Sequence, residues 1–118
     1  MDDALSFWRD ALGLDLHEIR DVPAEKSQVA FIPIAGGELE LVMPTTDDSG
    51  IAKYLAKRGQ GMHHICLEVD DIEGMLEQLK AKGIRLINEQ PRTSSDGKKY
   101  AFVHPESARG VLVELYQL

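Results

Sequence analysis

Apolar residues near the start of the chain recur at helical spacing. Ala4, Leu5, Trp8, Ala11 and Leu12 fall on one face, with polar residues between them. Asp2 and Asp3 precede that stripe as cap candidates, and Gly13 follows it where a glycine commonly closes a helix. The period then shortens to that of strands over 14–20 and 28–34, parted by a turn at Pro23-Ala24-Glu25-Lys26. Gly36-Gly37 turns the chain into a further strand over 38–43. After Pro44 come a polar loop, a short amphipathic helix holding Ile51, Tyr54 and Leu55, and a glycine-rich joint at Gly59-Gln60-Gly61.

Beyond the joint the pattern starts with a strand over 62–69. A helix follows, capped by Asp70 or Asp71, carrying Ile72, Met75, Leu76 and Leu79, and closed by Gly83. Strands are predicted over 84–88, 99–104 and 111–117, with a turn at Ser94-Ser95-Asp96-Gly97 and a loop over 105–109. The halves repeat: Gly13 corresponds to Gly83, and Leu39-Glu40-Leu41 to Val113-Glu114-Leu115. The expectation is one α+β domain over 1–118, made of two βαβββ modules, 1–44 and 62–118, joined by a linker with a short helix over 45–61. The first module lacks its initial strand, whose place would lie before Met1, so the chain as written is expected to be an incomplete form of its fold.

Composition narrows the function. With 43% hydrophobic content, 118 residues support one core. The formal charge of −7, from 13 basic and 20 acidic residues without a basic cluster, speaks against nucleic acid as a partner. The single Cys66 excludes an intramolecular disulfide and a Cys-x-x-Cys centre. No apolar run approaches the ~20 residues that span a bilayer, and the acidic start is unlike a signal or transit peptide. A cytoplasmic protein without a membrane partner is expected.

Side chains alternate along a strand, so parity decides which residues share a surface. Val111, Val113 and Leu115 should pack on the helices, leaving Leu112, Glu114 and Tyr116 on the opposite, concave face. The same rule sets Leu39, Leu41 and Met43 against Glu38, Glu40 and Val42. It also sets His63, Ile65, Leu67 and Val69 against His64, Cys66 and Glu68. Glu40, His64 and Glu114 can therefore share one concave surface. Two carboxylates and an imidazole suit a divalent ion such as Co, Mn, Fe, Ni or Zn. A mid-strand glutamate is by itself ordinary on a solvated sheet face, but here the repeat places one at the same point of both modules. Parity makes His63 structural, Cys66 reads as a small buried filler, and His17 and His104 have no partner by spacing.

Doubled βαβββ modules with inward ligands resemble the vicinal oxygen chelate superfamily, to which glyoxalases and bleomycin resistance proteins belong. Gly61-Met62-His63-His64-Ile65, Val69-Asp70-Asp71-Ile72, His104-Pro105-Glu106-Ser107 and Gly110-Val111-Leu112-Val113-Glu114-Leu115 resemble its methylmalonyl-CoA epimerase family. The helix Phe7-Trp8-Arg9-Asp10-Ala11-Leu12-Gly13-Leu14 and the run Ser49-Gly50-Ile51-Ala52-Lys53-Tyr54-Leu55 are similar to the same family, so the resemblance covers essentially the whole chain. It implies an isomerase acting on an acyl-CoA, inverting the carbon between thioester and carboxylate through an enolate. It further implies a homodimer and a divalent metal ion held by four residues. Three of these map onto Glu40, His64 and Glu114, and the fourth has no counterpart. Glu114 is then also the candidate catalytic acid or base. For the second such group the resemblance offers a glutamate where this chain has Ser27-Gln28-Val29, leaving Glu40, Glu68 or a bound water.

The same fold carries other functions. A glyoxalase I-like lyase or isomerase would use a similar ligand set and is the alternative reading within enzymes. A ring-cleaving dioxygenase fits less well, because no second histidine stands at a ligand position. A metal-free ligand-binding module is the non-enzymatic alternative. Against it, Glu40 and Glu114 would be costly as paired carboxylates in a dry pocket.

Overall fold

The amphipathic stretch after Met1 winds into a helix of two pitches. α1 (Asp2–Leu5) continues directly into a π-helical stretch, Ser6–Ala11, in which Leu12 N–H bonds Phe7 O at 2.9 Å. No side chain caps its start. Asp2 and Asp3 instead lie inside the first turn, where their charge meets the positive end of the helix dipole. Gly13 ends it at φ +81, a conformation glycine adopts without a Cβ penalty. This computed structural model describes all 118 residues, and the chain divides into two compact units, Met1–Gly61 and Met62–Leu118.

In the first unit β1 (Glu18–Val22), β2 (Ser27–Ile34) and β3 (Gly37–Pro44) form an antiparallel sheet in that order. The strand read over 14–20 starts later than its pattern suggests. Leu14 and Leu16 pack instead on the core of Leu5, Ala30 and Ile32, together with Trp8, Leu39 and Leu41. Ile34 pairs with Gly37, leaving a tight hairpin turn at Ala35 and Gly36, where φ +76 suits the glycine. α2 (Gly50–Arg58) is capped by Ser49, whose buried Oγ accepts the Ala52 N–H at 3.0 Å.

The second unit carries a four-stranded sheet in the order β4-β7-β6-β5. β4 (His64–Glu68) runs parallel to β7 (Leu112–Gln117), while β6 (Lys99–Val103) pairs antiparallel with both β7 and the short β5 (Arg92–Thr93). α3 (Ile72–Ala81) starts where the Asp71 carboxylate accepts the Gly74 N–H at 3.1 Å and Ile72 N–H donates to the Gln117 side chain at 2.8 Å. Ile72 and Leu76 of α3 are fully buried against Ala101, Val103 and Leu115. Burying each such aliphatic side chain contributes about 1.5–3 kcal/mol, so this contact fixes which face of the sheet is left for chemistry.

Helix followed by three antiparallel strands is common to both units, and β4 is the additional strand of the second. The segment 84–88, expected as a strand, makes only a single bridge, Leu86 to Val103. Its ladder stops because the Asn88 side-chain oxygen, not a backbone carbonyl, accepts the Phe102 N–H at 2.8 Å. The third strand of the antiparallel set is instead β5, which starts at Arg92, beyond the end of the predicted element at Asn88. Ile65 and Leu67 also depart from expectation. Their register with Val113 and Leu115 puts them on the helix side, yet they are 40% and 50% exposed, because β4 is the outer strand and α3 lies over β6 and β7.

Candidate functional site

With Val113 and Leu115 taken up by the core, the other face of β7 presents Leu112, Glu114 and Tyr116. The parallel register sets Cys66 beside Glu114, Glu68 beside Tyr116 and His64 beside Leu112. On the far side of β7, Phe102 pairs with Glu114 and Tyr100 with Tyr116. One sheet face therefore carries an imidazole, a thiol, two carboxylates and a row of aromatic rings. His64 and Glu114, diagonal neighbours across β4 and β7, come together: His64 Nε2 lies 3.4 Å from Glu114 Oε1, with side chains 31% and 17% exposed. Phe102 packs edge-on to His64 at 6.1 Å and limits solvent on that side.

The electrostatics follow from this packing. A hydrogen bond from His64, first among the causes, holds the Glu114 carboxyl below the usual range against the opposing effect of burial. The His64 charge, the Cys66 thiol and the Lys98 ammonium act in the same direction. Glu114 is thus kept as a carboxylate. Lys98 Nζ sits 4.6 Å over the Tyr116 ring, and the Tyr116 hydroxyl donates to Glu68 Oε1 at 3.3 Å.

His63 was expected to turn away from His64. Instead their Nδ1 atoms are 2.8 Å apart and their rings meet edge to face. The reason is that β4 begins at His64, so strand alternation does not extend back to His63. Cys66 is exposed, not a buried filler, since its strand is the outer one of the sheet. Of the aromatic row only Tyr116 is placed from the sequence; Tyr100, Phe102 and Lys98 are additional. Parity along 99–103, which buries Ala101 and Val103, would have exposed Tyr100 and Phe102.

Glu40 belongs to the first unit. It lies on β3 opposite Phe31 of β2, on the face away from Leu39 and Leu41, which join the core. Arg20 stacks over that same Phe31 at 4.7 Å and pairs with Glu18. No group of three or more His, Cys, Asp or Glu side chains is gathered closely enough to hold a metal ion. The His64 and Glu114 pair nevertheless fits two ligands of one cation. Donors bound at about 2.0–2.2 Å with a tetrahedral angle stand about 3.3–3.6 Å apart, against 3.4 Å here.

Comparison with known proteins agrees with this architecture. Residues 1–102 match the model of the Glyoxalase/Bleomycin resistance protein/Dioxygenase superfamily. The chain is 38% identical over 118 residues to the mitochondrial methylmalonyl-CoA epimerase of Mus musculus, covering 99% of the chain and 66% of that protein. It is 36% identical to the ethylmalonyl-CoA/methylmalonyl-CoA epimerase of Cereibacter sphaeroides, covering 98% and 87%. Among solved structures it superimposes on a methylmalonyl-CoA epimerase in complex with methylmalonyl-CoA and NH4+ with a TM-score of 0.77 and 32% identity, covering 99% of the chain and 85% of that one. The chain spans about two thirds of the mouse relative's length. It belongs to the glyoxalase/bleomycin resistance/dioxygenase superfamily and, within it, to the methylmalonyl-CoA epimerase family.

Proposed function

We propose that this protein inverts the α-carbon of methylmalonyl-CoA, using Glu114 as a catalytic carboxylate and the His64 and Glu114 pair as ligands of a divalent metal ion. The observation that carries the reading is the His64 and Glu114 pair on the open face of the second sheet, in a chain of this family. The α-proton of such a substrate is acidified by the adjacent thioester carbonyl, whose oxygen takes up the charge of the enolate. Removing it needs a base that is already deprotonated, and His64 holds Glu114 in that form. A divalent cation, when bound, supplies stabilisation of the negative charge that develops on the thioester oxygen.

The surrounding residues have complementary parts. Phe102, packed against His64, and Tyr100, packed against Phe102, provide an apolar wall that keeps bulk water from the reacting carbon. Of the groups left for returning the proton, Glu68 is on the same face and accepts from the Tyr116 hydroxyl. Incubating a single epimer of methylmalonyl-CoA with the cobalt(II)-supplemented protein should convert it to the mixture of epimers. Retention of the starting configuration at high protein concentration would overturn the proposal.

A further inference from the structure

A metal-ligating histidine almost always donates its second ring N–H to a neighbouring acceptor, which fixes the tautomer and the ring plane. Resting on the proposed reading of His64 as a ligand through Nε2, the nitrogen to be fixed is Nδ1. The structure places the Nδ1 of His63 2.8 Å from it, within hydrogen-bond distance, with ring planes at 83°. A contact this short between two ring nitrogens needs one proton and one lone pair. We propose that His63 is the positioning residue for His64: its Nδ1 accepts the Nδ1–H of His64, so that Nε2, which bonds Glu114 in the cation-free protein, is the donor atom once a cation takes the place of that proton.

Only a neutral imidazole has the lone pair this role requires. The position of His63 just before β4 is what allows the contact, since a residue inside the strand would point to the other face.

The test uses the whole chain and begins without metal. Nitrogen-15 NMR of the cation-free protein should show His64 protonated at Nδ1 and a coupling across the hydrogen bond to His63 Nδ1. An unprotonated His64 Nδ1, or no coupling, overturns the inference. Cobalt(II) titration followed by its visible absorption then compares three proteins. His63→Phe keeps the ring and its edge-on packing but removes the acceptor, and should weaken cobalt binding about 10–100-fold. His63→Asn, whose amide oxygen falls near the lost Nδ1, should recover most of that. Equal affinity for all three, or a His63→Asn as weak as His63→Phe, contradicts the positioning role. Failure of the unaltered chain to bind cobalt(II) at all would instead sink the parent proposal, while the NMR result would still decide the His63 and His64 bond.

Discussion

Gly74 sits in the first turn of α3, and a Cβ built on it would meet Asp71 Oδ2 at 2.5 Å and Cγ at 3.0 Å. The same Asp71 carboxylate caps the helix through the Gly74 N–H at 3.1 Å. Two effects therefore compete in Gly74→Ala. Helix propensity favours alanine over glycine by up to about 1 kcal/mol. The methyl group, however, forces the carboxylate off its capping position, and loss of an aspartate cap costs about 0.5–2 kcal/mol. The two nearly cancel, so Gly74→Ala alone should change stability by less than about 0.5 kcal/mol. In an Asp71→Ala background the cap is already gone, and the same change should stabilise by about 1 kcal/mol. Denaturant unfolding of the four proteins gives the coupling directly, expected at about 1 kcal/mol. If Gly74→Ala stabilises equally in both backgrounds, the carboxylate moves aside without cost and the capping argument is wrong.

Other expectations follow from the second unit. Leu76→Ala, at a position 1% exposed between α3 and the sheet, should lower stability by about 2–5 kcal/mol in the same assay. His64→Ala should bring metal content by elemental analysis close to zero while the circular dichroism spectrum stays that of the unaltered protein. Glu114 adds a pH dependence. Its folded pKa lies below the usual glutamate value of about 4.3, so its contribution to stability is present above that value and is lost as pH falls through the lowered one. The stability gap between the cation-free protein and Glu114→Gln, followed by unfolding at stepped pH, should hold constant near neutrality and narrow in acid. A gap that widens in acid would reverse the sign of the argument.

Strand parity made much of the site legible. Val113 and Leu115 had to be buried, and Glu114 between them had to face the other way; the core bears this out. The same logic paired Leu39 and Leu41 with the first core and turned Glu40 outward. Parity fails where a strand starts or stops, and that decides the two histidines: His63 lies one residue before β4, so its ring is free to reach that of His64. A side chain can also replace a backbone partner unseen by any pattern, as Asn88 does when it ends the ladder expected over 84–88. The π-helical turn at Ser6–Ala11 has a similar origin, since its stripe of apolar residues suits either pitch. Exposure of Cys66, Ile65 and Leu67 depends on β4 being the outer strand, which no spacing within the strand reveals.

The proposal that Glu114 exchanges the α-proton is tested most directly in deuterated buffer, by mass spectrometry of methylmalonyl-CoA incubated with cobalt(II)-supplemented protein. The account predicts that one solvent deuterium enters at the α-carbon with the unaltered protein and none above background with Glu114→Gln at matched metal occupancy. Exchange at an undiminished rate in the Glu114→Gln protein would contradict it.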